Sequence, residues 1–138
     1  MSDRTFVDTN VLIHAYDVDA KDKHELAKSA LRELWDQHTG ILSMQVLQEF
    51  YVNATRKIAK PLPRRVAQSV VNLYSAWCME TTPAEIAAAF RIEEESRISF
   101  WDALIVASAV RAGTVRIFSE DMNARQVIAG IRIENPFA

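Results

Sequence analysis

The chain has 138 residues, 49% of them hydrophobic, which suits one compact domain with a sizeable core and removes any need for a disulfide or metal staple. Its net charge of −2 excludes a general nucleic-acid coat protein, a class that is usually basic, but not an enzyme whose acidic site draws the charge down. The single cysteine, Cys78, excludes an internal disulfide; in the apolar stretch LYSAWCM it reads as a buried structural thiol suited to a reducing cytoplasm.

Three glycines and four prolines punctuate the chain, which favours helices with short connections. The start, MSDRTFVDTN, has charges on both sides of a very short apolar run and lacks the pattern of a signal peptide. Thr5 to Asp8 reads as a short buried strand and Asn10 to Tyr16 as a brief helix that Asp8 or Thr9 can cap. Lys23 to His38 is an amphipathic helix with Leu26, Ala27, Ala30, Leu31, Leu34 and Trp35 on one face, ended by Gly40. Ile41 to Ser43 is a short strand. Ser43 can cap a helix running to about Ala59, with Leu47, Phe50, Ala54 and Ile58 inward.

Pro61 breaks that helix, and Pro63 opens another that reaches Trp77 with Val66, Val70, Leu73 and Trp77 inward. Met79 to Thr81 is a weak strand. Thr82-Pro83 starts a helix to about Ser96, and Ser99 begins the next, which continues to Ala112 with Gly113 after it. Its apolar run at 103–110 is far too short to span a bilayer. Val115 to Phe118 is a strand, Met122 to Ala129 a short helix and Ile131 to Glu134 a last strand. Strands alternating with helices give an α/β class, a parallel sheet of about five short strands covered on both faces, as a single domain over residues 1–138.

Four acids stand out against this plan: Asp8, Glu49, Asp102 and Asp121. In a parallel sheet, ligands bind at the carboxyl ends of the strands, and crossover helices begin at that same edge. Asp8 ends the first strand, and Asp121 lies just beyond the strand at 115–118. Asp102 is in the first turn of the helix feeding that strand. Glu49 is only six residues, ~9 Å, into its own helix, with a side chain tilted back toward the helix start. All four are therefore expected on one rim. Carboxylates gathered in this way repel one another unless a cation lies among them, and an all-oxygen donor set selects Mg²⁺ or Mn²⁺. The helix N-terminus is expected to depress the pKa of Asp102. Taken singly, each acid also has a plainer role. Asp102 could complete a capping box with Ser99, Asp8 could cap the helix after it, Asp121 could be a turn residue, and Glu49 could be solvated. Their combination and order carry the signal.

In that order the chain resembles the PIN-domain ribonucleases. Phe6-Val7-Asp8-Thr9-Asn10-Val11-Leu12-Ile13 is similar to their opening motif, Gln48-Glu49-Phe50 to the second, Trp101-Asp102-Ala103-Leu104-Ile105 to the third and Ser119-Glu120-Asp121-Met122 to the fourth. The short format is most similar to the VapC-type toxins of toxin–antitoxin pairs. The resemblance implies a three-layer α/β/α fold and an endoribonuclease using Mg²⁺ or Mn²⁺. Asp8 and Asp102 would be the principal metal ligands, Glu49 and Asp121 would complete the acidic pocket, and Asn10 and Ser119 would orient ligands or water. It also implies a homodimer silenced by a small antitoxin, for which the apolar face of 23–38 and the helix from Met44 are candidate surfaces.

Substrate contacts are less legible. Arg56, Lys57, Lys60, Arg64 and Arg65 form a basic group suited to an RNA backbone or to a solvated helix end, and Trp101 is expected in the core rather than against a base. His14, His24 and His38 make no zinc pattern and read as ordinary surface or partly buried residues, and Glu120 as a solvated one. Two other classes compete. A haloacid-dehalogenase-type phosphatase also starts with a strand ending in Asp, but has a second Asp where this chain has Asn10. A non-catalytic RNA- or protein-binding module of the same fold would keep its activity when Asp8 is replaced by Asn.

Overall fold

The structure, a computed structural model, describes residues 3–138. Its centre is a six-stranded sheet in the order β3-β2-β1-β4-β6-β5, formed by β1 (Thr5–Val7), β2 (Gly40–Ser43), β3 (Cys78–Met79), β4 (Arg116–Phe118), β5 (Val127–Ile128) and β6 (Ile131–Glu134). All pairings are parallel except that of β5 with β6. Six helices accompany it: α1 (Thr9–Tyr16), α2 (Asp22–Gln37), α3 (Met44–Arg56), α4 (Arg64–Tyr74), α5 (Pro83–Ser96) and α6 (Phe100–Arg111). All three residues of β1 are buried, as a central strand covered on both faces requires. Phe6, Leu42, Phe50, Ile105, Ile117 and Ile133 form the heart of the core around it.

The order of the strands places the site. From β1 the sheet grows through β2 to β3 on one side, and the chain then returns to lay β4 against the other side of β1. Strand order thus reverses at β1, and the crevice opens at the carboxyl ends of β1 and its neighbours. The Asp8 N–H donates to the Phe118 carbonyl at 3.0 Å, and the Ser119 N–H to the Glu134 carbonyl at 2.9 Å, so the residues just past β1 and β4 are held in the sheet's own ladder. Arg4 precedes β1 and so lies at the other edge.

Helix starts are set locally. Asp8 caps α1 by accepting from the Thr9 N–H. Thr82 and Glu85 form a full capping box with Pro83 in the first turn of α5, and Ser99 caps α6 by accepting from the Asp102 N–H. Ser43 sits at the cap position of α3 without a side-chain cap bond, and its hydroxyl is buried with no partner. Two helices end earlier than the sequence suggests. α3 stops at Arg56, and α4 stops at Tyr74 before a 3₁₀ turn at Ser75–Trp77. The inward face of α4 consists of Ala67, Val70 and Tyr74, while Val66 and Leu73 are exposed; a small residue at 67 lets the helix sit closer to its neighbours than the larger pair would.

The main departure lies at 122–129. This segment is not a helix. Val127 and Ile128 form β5, paired with Arg132 and Ile131 through a turn at Ala129 (φ 51°) and Gly130 (φ 81°). Two consecutive positive φ values make the tight hairpin turn matched to strand twist, and β-branched Val-Ile suits the strand. The sixth strand arises from this segment.

Gly40 also differs from its expected role. His38, in the left-handed conformation (φ 57°), terminates α2. Gly40 begins β2 instead, under the indole of Trp77, where an added Cβ would lie 2.7 Å from three ring carbons. Trp77 in turn packs against Trp35 and Tyr74, with ring centroids 4.6 and 4.9 Å away, so it cannot easily retreat. Gly40→Ala is therefore expected to destabilise by about 1–3 kcal/mol, the scale of overpacking, read as a drop in thermal midpoint. Adding Trp77→Phe should recover part of that loss.

Candidate metal-binding active site

One hollow of about 340 Å³ receives all four sequence-predicted acids, Asp8, Glu49, Asp102 and Asp121, as lining residues. They come from four elements: the end of β1, the middle of α3, the first turn of α6 and the loop after β4.

Asp8 is the best anchored. One oxygen accepts from the Thr9 N–H at 2.7 Å, and the other accepts from the Ser119 hydroxyl at 2.8 Å and the Asn10 amide at 3.4 Å. The Ser119 oxygen accepts in turn from the Met122 N–H at 3.3 Å, which fixes the direction of its proton toward Asp8. Asn10 spans two acids: its amide NH₂ also donates to Asp121 at 3.2 Å, and its carbonyl accepts from the Glu120 N–H at 3.0 Å. The Thr9 hydroxyl donates to Glu49 at 2.9 Å. Thr9, Asn10 and Ser119 thus act as a frame that holds like charges at set positions.

The acids feel each other. Burial, followed by the charges of Asp102 and Glu49, raises the Asp8 carboxyl from 3.8 to about 6 against the lowering hydrogen bonds of Ser119 and Thr9. Asp102 is also raised, first by burial and then by Asp121, although Ser99 acts to lower it. The expected depression of Asp102 is therefore not found: burial, with the charge of Asp121 behind it, pushes the carboxyl up. Ser99 alone supplies the cap that Asp102 was a candidate to share.

The donor chemistry suits a hard divalent cation. Among the described residues no three Asp, Glu, His or Cys side chains form a ready-made metal cage. The acids instead face one hollow without closing on one point. That layout fits an ion held by one or two carboxylates with water completing its shell, as Mg²⁺ prefers.

Two lining residues on α3 escaped the sequence analysis, Gln45 and Asn53. With the predicted Glu49 and with Lys57 they face the hollow at four-residue intervals on α3 and its cap. That spacing marks one helix face and was a usable signal. Of the basic group at 56–65, only Lys57 reaches the hollow. His14, one turn after Asn10, also lines it. His14 Nε2 lies 2.9 Å from a Glu120 oxygen, and Lys23 pairs with the other oxygen. Glu120 is thus held rather than solvated: burial alone would raise its pKa, but Lys23 and His14 outweigh burial and keep it below the usual glutamate range. Trp101 stands at the hollow 61% exposed instead of in the core. Cys78 is half-buried, with burial raising its thiol pKa, as befits an inert thiol.

The PIN domain profile matches residues 5–129, nearly the full length. The chain belongs to the PIN-domain family. Its fold resembles that of solved PIN toxins. VapBC2 from Rickettsia felis, solved with a DNA fragment from its promoter, superposes with a TM-score of 0.68 at 16% identity, covering 95% of this chain and 97% of that one. VapC20 of Mycobacterium tuberculosis, described as a sarcin–ricin loop cleaving toxin, gives 0.63 at 20% identity over 85% and 89%. FitAcB from Neisseria gonorrhoeae gives 0.64 at 17% identity over 96% and 98%. At these identities the likeness establishes the PIN fold, with its α/β/α layers and mostly parallel sheet. A search of curated sequences finds no match.

The raised Asp8 has a measurable consequence. Its folded pKa of about 6 exceeds the ordinary 3.8, so the metal-free fold binds this proton more tightly than the unfolded chain does. The associated stability is complete below about pH 4 and is lost as pH rises through about 6, by up to about 3 kcal/mol. In EDTA at pH 7.5, Asp8→Asn should melt at a higher temperature than the wild type, and the gap should close by about pH 4. Equal melting temperatures at both pH values would contradict the raised Asp8 carboxyl and with it the cost of burying that charge.

Proposed function

We propose that this PIN domain, acting as one unit over its 138 residues, is a Mg²⁺- or Mn²⁺-dependent endoribonuclease, the toxin of a type II toxin–antitoxin pair. The observation that carries it is the convergence of Asp8, Glu49, Asp102 and Asp121 on one hollow, with Asp8 and Asp102 repelled by their neighbours. Asp8 and Asp102 would be the chief ligands, with Glu49 and Asp121 completing the set. Bound there, the ion would supply an activated water for in-line attack on a phosphodiester and neutralise charge on the phosphoryl oxygens.

The chain's own residues prepare that site. Ser119, Thr9 and Asn10 hold the carboxylates by the bonds described above, which keeps the acids oriented before substrate arrives. Asn10 takes the position at which a phospho-aspartate enzyme would have its second acid, and it is engaged with Asp8 and Asp121. The Ser119 hydroxyl donates to Asp8 and accepts from the Met122 N–H and the Asn10 amide, and no histidine bonds to it as a base, which favours water over a side-chain nucleophile.

RNA as substrate is supported by the likeness to VapC20, and a small antitoxin by the likeness to VapBC2. An apolar groove of about 450 Å³ between α3 and α4, lined by Met44, Leu47, Tyr51, Val52 and Val71, offers such a partner a seat. The face of α2 is less available, because Ala27, Leu31 and Leu34 are buried in the core. A homodimer is part of the same proposal, on the analogy of the family. A cytoplasmic setting accords with the free thiol of Cys78 and with the lack, among the described residues, of a helix long and apolar enough to cross a membrane.

Total cellular RNA should be cut in Mg²⁺ or Mn²⁺ and left intact in EDTA. Asp8→Asn and Asp102→Asn should each lower cleavage on the order of a hundredfold or more while the far-ultraviolet spectrum stays native. Mn²⁺ should raise the melting temperature of the wild type and not of Asp8→Asn. Undiminished cleavage by Asp8→Asn would sink the nuclease assignment.

A further inference from the structure

Resting on the nuclease assignment, we propose that two side chains of this chain flank the acidic hollow along a nucleic-acid track, Trp101 as a base-stacking platform at one end and Lys57 as a phosphate contact at the other. The residues of α3 that face the hollow run in the order Gln45, Glu49, Asn53, Lys57. At four-residue intervals they line one face of the helix and span ~18 Å along its axis. Glu49 to Lys57 alone is ~12 Å, the length of a few stacked nucleotides at ~3.4 Å each. Lys57 makes no ion pair with any of the four acids, and its place along α3 suits a neighbouring phosphate of the same strand.

The opposite end is built differently. The Gln45 amide donates to the Trp101 carbonyl at 3.5 Å, which ties the start of α3 to the start of α6. The carbonyl oxygen of the same amide is buried with no partner. Trp101 follows immediately with its indole 61% exposed, whereas Trp77 is buried against Trp35 and Tyr74. Phe100 meets the Trp101 ring edge-on at 5.2 Å and is itself backed by Phe90 at 5.8 Å, so the indole is braced rather than loose. A braced, solvent-facing aromatic one residue from Asp102 is arranged to stack a base beside the phosphate being cut. Bases already paired in a duplex do not offer that face, so an unpaired nucleotide is what the Trp101 platform would hold.

Oligonucleotide titration with the Asp8→Asn protein tests this directly, because Trp101 is the exposed indole. A single-stranded RNA of about ten nucleotides should quench its emission, the same sequence annealed into a duplex should quench far less, and the double variant with Trp101→Phe should lose the signal. In cleavage by the otherwise wild-type protein, Trp101→Ala should raise KM roughly tenfold or more with a much smaller change in kcat, and Trp101→Phe should recover most of that loss. Lys57→Ala should raise KM and reduce its salt dependence. A Trp101→Ala KM equal to the wild type, or equal quenching by duplex and single strand, would overturn the track even if RNA is cut. Absence of any cleavage by the wild type would instead count against the nuclease assignment, while single-strand quenching that is lost with Trp101→Phe would still support the track.

Discussion

Everything at this site depends on holding like charges together at the edge of a parallel sheet. Asp8 is secured twice. Its backbone N–H joins the ladder to β4, and its carboxylate accepts from Thr9, Asn10 and Ser119. Without that frame the acids would relieve their repulsion by turning into solvent. With it, burial and repulsion are expressed as a raised pKa instead of as movement, and the hollow keeps an unbalanced negative charge. Such a charge is costly to the fold alone and would be offset by a cation held among the acids.

The frame is economical because the same short segments that close the sheet also carry the site. Thr9 and Asn10 open α1, and Ser119 ends the run of β4, so a single exchange between β1 and β4 sets two acids and three supporting groups. Glu49 and Asp102 are delivered from outside the sheet, by α3 and α6. Their positions depend on how those helices pack, with Phe50 and Ala54 fixing α3 against the core and Ala103, Ile105 and Val106 fixing α6. A helix that turns slightly about its axis would move its acid off the rim. The buried residues on each side of Glu49 and Asp102 are therefore as much part of the site as the carboxylates.

The hollow is also asymmetric. Its frame of Thr9, Asn10 and Ser119 lies on the side of β1 and β4, and the face of α3 crosses the opening with an acid between two amides and a lysine at its end. His14 and Lys23 hold Glu120 and thereby steady the loop that carries Ser119 and Asp121. Phe137, edge-on to His14 at 5.0 Å, adds the end of the described chain to the same support.

Much of this was legible in the sequence, because its signals are local and repeated. Strand-then-acid, cap-then-helix and the order of four acidic motifs pointed to the α/β class, to the family and to Asp8, Glu49, Asp102 and Asp121 as acids that would share one hollow. Capping chemistry at Ser99 and Thr82 acts within three residues and needs no knowledge of the rest of the chain. The tertiary structure alone decided the rest, for a common reason: burial and pairing depend on what a residue meets from far along the chain. Val127-Ile128 became a strand because β6 was there to pair with it, and Gly40 was required because Trp77 lies over it. Asp102 gained a proton affinity opposite to its helix-dipole expectation because neighbouring elements removed its water. Trp101 lies in solvent at the start of α6, whose contribution to the core is made by Ala103, Ile105 and Val106 further along the helix.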